Sequence, residues 1–285
     1  MKMTDAVLLP EGGAAQRPVH GARGGSAFAG TDWLAEERPV ALEFNGISHA
    51  VMLATPLDLE DFALGFALSE GIVDAPADVR GTEARHDARG TTVSLEIAAR
   101  CMARLKERRR SLAGRTGCGL CGTESLEQVE RALPPLPAPD AGAALARAAL
   151  RRAMQELPAL QALQQATGAV HAAGWCGPDG AVRLMREDVG RHNALDKLIG
   201  AMAASGIGES ERARGFIAVT SRASFEMVHK VVAARVPVLA AVSAATTLAA
   251  DLAQRLGLSL AGFVRHDNLV IYAGGERLAG GHHGS

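Results

Sequence analysis

Apolar residues in the second half of the chain form short runs separated by segments of helical period. GFIAVTS at 215–221 and VPVLAAVSA at 236–244 predict buried strands, and the segments after them predict helices. In RHNALDKLIGAMAASG at 191–206, apolar residues at helical spacing predict one stripe that faces a core. Strands that alternate with helices of this length favour right-handed crossovers and a largely parallel sheet.

The first half of the chain predicts a smaller part that mixes strands and helices. VALEFNGISHAVMLAT at 40–55 predicts a β-hairpin with Asn45-Gly46 as its turn. DLEDFALGFALSEGIV at 58–73 predicts an amphipathic helix capped by Asp58, and TTVSLEIA at 91–98 predicts a strand.

Two further segments set the predicted domain boundaries. Residues 1–30 are rich in Gly, Ala and Pro without any period, and LPPLPAPDAG cannot form a helix because of its prolines. The predicted organisation is a disordered tail at 1–30, an N-terminal α+β part at 31–132, a proline-rich linker at 133–142 and an α/β core at 143–280.

Polar residues follow three of the predicted core strands. They form the segments Thr220–Arg222, Ser243–Thr246 and Arg265–Asn268. In an open α/β sheet, ligands bind outside the carboxyl ends of the strands. Each hydroxyl alone could simply cap the next helix, but three such segments favour a ligand pocket.

EDVGRHNALDK at 187–197 is the densest polar stretch. Gly190 precedes a helix whose first N–H groups favour an anion, and Arg191 could add a charge-assisted hydrogen bond. The alternative is an ordinary surface terminus in which His192 and Asp196 pair along the helix.

RTGCGLCG at 115–122 places Cys118 and Cys121 two residues apart among glycines. The pair could be half of a zinc site, a redox dithiol or a mobile sulfur carrier. A structural zinc site needs four ligands, and a second pair at helpful spacing is missing from the sequence. A thioredoxin-like dithiol follows a strand, whereas this pair follows a basic helix. Glycine-rich sequence favours a thiol that moves, with zinc and a regulatory disulfide as alternatives.

Composition narrows the functional classes. The net charge is −1, which argues against a nucleic-acid binder driven by bulk charge. The longest uncharged apolar stretch, 236–250, is shorter than the roughly 20 residues that span a bilayer. Without a signal-peptide pattern, the protein is expected to be soluble and cytoplasmic, where thiols stay reduced.

Six segments together resemble the formate dehydrogenase accessory sulfurtransferases, the FdhD family. In chain order they are RTGCGLCG, VHAAGW, EDVGRHNALDKLIG, TSRASFEMVHK, SAATTLAADLA and GFVRHDNLVIY. The resemblance runs from about Val40 to the last predicted strand. It implies an α/β fold with a cytidine-deaminase-like core, a mostly parallel sheet flanked by helices, and a smaller N-terminal α+β part. Ala173 replaces the glutamate of the deaminase signature His-x-Glu, so deamination is not expected.

The same resemblance implies a path for sulfur. A cysteine desulfurase would load a persulfide onto Cys118, with Cys121 as its companion. The sulfur would then pass to the molybdenum cofactor of formate dehydrogenase, bis-molybdopterin guanine dinucleotide. The expected partners are thus a desulfurase, formate dehydrogenase and this guanine-nucleotide cofactor. The resemblance is compatible with a homodimer. Binding of zinc, nucleic acid or a membrane is not expected. The second hypothesis is a non-catalytic cofactor chaperone whose CxxC senses redox state or binds zinc.

The resemblance and the strand-end argument together give one set of predicted site residues. The family's cofactor segment falls on FVRHDN. The predicted catalytic residues are Cys118 and Cys121, and the predicted cofactor-binding residues are Phe263, Val264, Arg265, His266, Asp267, Asn268, Arg191, His192, Ser221 and Ser243.

Overall fold

The computed structural model describes residues 9–113, 132–139 and 144–279. The strands in these ranges are β1 (Ala14–Arg23), β2 (Ser26–Ala35), β3 (Arg38–Phe44), β4 (Ile47–Ala54), β5 (Val79–Asp87), β6 (Gly90–Ile97), β7 (Leu145–Ala146), β8 (His171–Cys176), β9 (Val182–Asp188), β10 (Phe216–Val219), β11 (Val238–Ala241), β12 (Ser259–Arg265), β13 (Asn268–Ala273) and β14 (Leu278–Ala279). The α-helices are α1 (Leu59–Ser69), α2 (Ala99–Ala113), α3 (Arg147–Leu160), α4 (Ala162–Thr167), α5 (Arg191–Ala204), α6 (Glu209–Arg212), α7 (Phe225–Ala233) and α8 (Thr247–Leu256).

The N-terminal part is a four-stranded sheet in the order β4-β3-β6-β5, with α1 and α2 packed on its apolar face. The predicted hairpin is confirmed, since Asn45 and Gly46 both have positive φ and join β3 to β4. The helix predicted after it is also confirmed, but Asp58 makes no capping hydrogen bond. Its carboxylate lies 3.5 Å from Arg186 Nε instead.

Residues 14–35 correct the prediction of a disordered tail. They form an antiparallel hairpin of β1 and β2 that turns at Gly24 and Gly25, both with positive φ. Nearly every side chain of β2 is exposed or half-exposed. A strand without a buried face needs no apolar alternation, which is why the sequence pattern missed it. The Gly-Gly pair was the available hairpin signal.

The core is a six-stranded mixed sheet in the order β13-β12-β11-β10-β8-β9. β11 pairs in parallel with β10 and β12, while the other three pairings are antiparallel. The prediction of a mostly parallel sheet is therefore wrong. Short turns join β8 to β9 and β12 to β13, and strands joined this way must be antiparallel.

Helices cover both faces of the core sheet. Apolar residues of α5, α7 and α8 pack on one face, and those of α3 pack on the other. Residues 134–139 form no helix, as their prolines predict, but they lie against the core rather than acting as a free linker. Leu136 is buried, and its N–H donates to Leu256 O at 2.9 Å. Arg277 donates to Pro137 O.

Two glycines bring the N-terminal part and the core into close contact. Gly65 of α1 faces the backbone of α5 at Asp196, and Gly200 of α5 faces the backbone of α1 at Asp61. A Cβ at either position would overlap a carbonyl oxygen of the other helix. The two helices can cross this closely only because both positions lack a side chain. In the part of the chain described, every helix is too short or too polar to span a bilayer.

Candidate functional site

Cys118 and Cys121 lie outside the described residues, so their role stays a prediction. ESLEQVERAL at 124–133 predicts a short helix, which also lies outside the described residues except for Ala132 and Leu133, and these two are not helical. Of the cysteines that are described, Cys101 and Cys176 are both buried. Burial raises the pKa of each thiol, so both stay protonated and poorly reactive. The described ranges thus offer no accessible thiolate to compete with the CxxC pair.

The segments that follow β10, β11 and β12 meet at one end of the sheet, as the sequence predicts. Ala223 N–H donates to Ala244 O at 3.0 Å, and Thr246 N–H donates back to Ala223 O at 3.1 Å. Phe263 N–H donates to Ser243 O at 3.1 Å, which joins the third segment to the second. We call this region, with its predicted residues Ser221, Ser243 and Phe263–Asn268, the strand-end surface.

Within the segment FVRHDN, Val264 alone is buried, and the other five residues are exposed. Val264 is completely buried in the core, so only its backbone could meet a ligand. Phe263 is exposed and held in the left-handed backbone region, at an irregularity in the pairing of β12 with β13. Arg265 is exposed, and its Nε donates to Val242 O at 2.8 Å. An aromatic ring and a guanidinium are therefore both exposed at the end of β12.

The hydroxyl groups of the strand-end surface are less accessible than the sequence suggested. Ser221 is 4% exposed, and its Oγ donates to Arg222 O at 3.0 Å. Thr220 Oγ1 accepts from Ala172 N–H at 2.8 Å, which ties the end of β10 to β8. Both hydroxyls bond to backbone groups, but neither caps a helix. The capping alternative holds for Thr246, whose Oγ1 accepts from Ala249 N–H at 3.3 Å at the start of α8.

The first turn of α5 lies beside this surface. His192 Nε2 is 2.8 Å from a carboxylate oxygen of Glu226 and 3.5 Å from Ser224 Oγ. Its hydrogen bond lowers the pKa of the Glu226 carboxyl. The alternative pairing of His192 with Asp196 is wrong, because Asp196 bonds to Ser69 and Lys230.

A cavity of about 320 Å³ adjoins the strand-end surface and is lined in part by His171, Thr220 and Gln161. Burial and the neighbouring Arg191 guanidinium lower the pKa of His171, which favours the neutral ring. Behind the cavity, burial raises the pKa of Glu187, which accepts from the N–H of Leu163 at 3.0 Å. The cofactor-binding residues predicted from the sequence do not line this cavity.

A larger cavity, of about 700 Å³, lies at the opposite end of the sheet, where β11 begins. Pro137, Arg235 and Arg277 are among its lining residues, and no sequence pattern indicated this cavity.

One group of possible metal ligands occurs within the described residues, formed by Asp74, Asp78 and Cys101. Arg100 pairs with Asp78, and Arg104 pairs with Asp74 at 3.0 Å. Both carboxylates are therefore already neutralised by guanidinium groups, and the thiol is protonated. This chemistry does not suit a zinc ion.

Comparison with known proteins identifies the family. The model of the FdhD/NarQ family matches residues 35–279. The chain belongs to this family. A sulfur carrier protein FdhD from Variovorax paradoxus (strain S110) is 61% identical over 280 residues, which cover 98% of each chain. A protein of the same name from Bordetella bronchiseptica is 56% identical over 259 residues, 90% of this chain and 92% of the relative.

A solved structure supports the FdhD/NarQ fold. A crystal structure of a candidate formate dehydrogenase accessory protein from Desulfotalea psychrophila superposes with a TM-score of 0.70 at 21% identity. The match covers 93% of this chain and 99% of the other. The family resemblance found in the sequence is thus confirmed, together with a mixed α/β fold. The likeness of the core to cytidine deaminases stays a prediction.

Four buried charged side chains lie where the N-terminal part packs against the core, and the sequence pattern did not reveal them. Asp188 and Lys197 are completely buried, and Asp196 and Lys230 nearly so. The available signal was the helix at 191–204, which carries charged residues inside an otherwise apolar stretch.

Proposed function

We propose that this protein is a sulfur carrier that serves formate dehydrogenase, with Cys118 as the residue that holds the sulfur. Membership of the FdhD/NarQ family carries this proposal, since close relatives bear the name sulfur carrier protein. The CxxC pair supports it, because the other two cysteines are buried and protonated.

In the proposed loading step, the thiolate of Cys118 attacks the outer sulfur of a persulfide on a cysteine desulfurase. A new S–S bond forms on Cys118, and the desulfurase cysteine leaves as a thiolate. The step exchanges one S–S bond for another, so it needs no external oxidant or reductant. Cys121 is the companion thiol.

In the proposed delivery step, the client substrate is the molybdenum cofactor bis-molybdopterin guanine dinucleotide, bound at the strand-end surface. The S–S bond of the Cys118 persulfide breaks, the outer sulfur passes to the cofactor and the Cys118 thiolate is the leaving group. The client cofactor, in its reduced state, supplies the two electrons that bring this sulfur to the sulfide level. This cofactor carries pyrophosphate groups. Arg265 and Arg191, with the first N–H groups of α5, supply the charges and donors that bind phosphate. The exposed ring of Phe263 offers a face on which a base can stack.

Mass spectrometry after incubation with a cysteine desulfurase and cysteine tests the carrier role. The wild-type protein should gain one sulfur atom, and Cys118→Ala should not. Cys176→Ala is the matched control, because its thiol is buried, and this variant should load like the wild type.

The second hypothesis is a cofactor chaperone that binds the guanine dinucleotide without carrying sulfur. If neither cysteine of the CxxC pair ever gains sulfur, the carrier proposal fails and the chaperone takes its place. If Cys118→Ala still gains sulfur at Cys121, the assignment of roles within the pair is wrong.

A further inference from the structure

Two completely buried charges lie at the base of α5. The Nζ of Lys197 is 2.7 Å from a carboxylate oxygen of Asp188, and both side chains are fully shielded from solvent. Asp188 ends β9, and Lys197 lies in the second turn of the helix that follows. The pair therefore bridges the connection between strand and helix.

A residue of the N-terminal part completes this pair. Lys197 Nζ donates to Thr55 O at 2.8 Å, and Thr55 N–H donates to Asp188 Oδ2 at 3.0 Å. Thr55 Oγ1 in turn accepts from Val189 N–H at 3.1 Å. One residue just after β4 thus bonds to both charges and to the backbone that leads into α5.

The second oxygen of the same carboxylate holds the first turn of the helix. Asp188 Oδ1 accepts from Gly190 N–H at 2.8 Å and from Asn193 Nδ2 at 3.0 Å. Arg191 and His192 lie between these two bonded positions. Asn193 also donates to Leu53 O at 2.8 Å, which adds another bond to the N-terminal part.

Stability alone does not explain why charged residues occupy this position. A buried ion pair is often no more stabilising than apolar residues of similar volume, because both charges lose their hydration. Hydrogen bonds to a carboxylate are directional, whereas apolar packing allows sliding. What this network adds is one defined orientation of the turn at 188–193.

We propose that Asp188, Lys197 and Thr55 are positioning residues, which hold the first turn of α5 so that Arg191 and His192 face the strand-end surface. The inference rests on the proposed function, in which this surface binds the guanine dinucleotide. It also assigns a role to the N-terminal part, because this part supplies Thr55, which supports the turn that carries Arg191 and His192.

A second buried pair where the two parts meet provides a matched control. Lys230 Nζ lies 3.0 Å from Asp196 and 2.8 Å from Glu70, and Ser69 Oγ donates to Asp196 at 2.7 Å. These bonds also connect the core to the N-terminal part. On the N-terminal side, however, they run to the end of α1 rather than to Thr55, and Asp196 lies in the second turn of α5, beyond the bonded positions 188–193.

The experiment compares Lys197→Met with Lys230→Met. Each change removes a buried ammonium and leaves a carboxylate behind, so both variants should lose thermal stability. Calorimetry with GDP, at a temperature where all proteins are folded, should show affinity reduced at least about tenfold in Lys197→Met and nearly unchanged in Lys230→Met. If Lys197→Met does not fold, Thr55→Val takes its place. This variant replaces the hydroxyl by a methyl group and should show a smaller loss of GDP affinity of the same kind.

Amide hydrogen exchange without ligand gives the second readout. Exchange at 189–194 should be about tenfold faster or more in Lys197→Met, and unchanged there in Lys230→Met. Equal losses of GDP affinity in the two lysine variants, or unchanged exchange at 189–194 in Lys197→Met and Thr55→Val, would overturn the inference. If the wild type binds no GDP, the proposed binding surface fails, while the exchange comparison still decides whether the turn is held by this network.

Discussion

Replacing Arg265 by Ala should weaken the binding of a guanine nucleotide without unfolding the protein. Nε of this side chain donates to Val242 O at 2.8 Å, which directs the guanidinium along the end of β11. The residue is exposed, so its removal leaves no cavity in the core. A lost hydrogen bond between a cation and a phosphate costs about 1.5–3 kcal/mol. Since about 1.4 kcal/mol is a factor of ten, the affinity should fall about ten- to hundredfold.

Titration calorimetry with GDP measures this change, and thermal unfolding confirms that the variant is folded. Arg265→Lys keeps the charge but loses the planar fork, so it should recover only part of the affinity. Arg89→Ala is the matched control, because Arg89 is also an exposed arginine and lies in the turn between β5 and β6. Unchanged affinity in Arg265→Ala, or an equal loss in Arg89→Ala, would remove Arg265 from the binding site.

Two further predictions concern stability. Gly65→Ala or Gly200→Ala should lower the free energy of unfolding by about 3 kcal/mol, because the added Cβ overlaps the backbone of the facing helix. Gly30 has open space around it, so Gly30→Ala should change this free energy by no more than about 0.5 kcal/mol. Chemical denaturation measures both changes. Burial and Arg191 lower the pKa of His171 in the folded state, so the unfolded chain takes up this proton first as the pH falls below about 6.5. Between about pH 7 and about pH 5, the free energy of unfolding should therefore fall more in the wild type than in His171→Gln. Equal falls in the two proteins, measured by chemical denaturation at both pH values, would contradict this.

The core elements were predictable because their apolar residues leave a clear pattern. β10 and β11 are four-residue strands in which every residue is buried, and such runs are short and uninterrupted. The hairpin at Asn45-Gly46 was equally clear, since these residues adopt the positive φ values that its turn requires. The convergence of the strand-end segments also followed from strand order alone.

The features that were missed depend on tertiary contacts. β1 and β2 bury almost nothing, so their sequence shows no alternation. β8 pairs antiparallel with β10, which lies far away along the chain, so no local pattern gives the direction of this pairing. The partners of Lys197 include Thr55, far away along the chain, and residue types alone cannot show that this lysine is buried.

A single-turnover transfer experiment tests the carrier function most directly. The protein is loaded with isotopically labelled sulfur and separated from desulfurase and cysteine. It is then mixed with formate dehydrogenase whose molybdenum cofactor lacks its sulfur. The label should leave Cys118, appear in the cofactor and restore formate oxidation in proportion to the sulfur transferred. Activation without transfer of the label, or label that stays on the protein while activity appears, would contradict it.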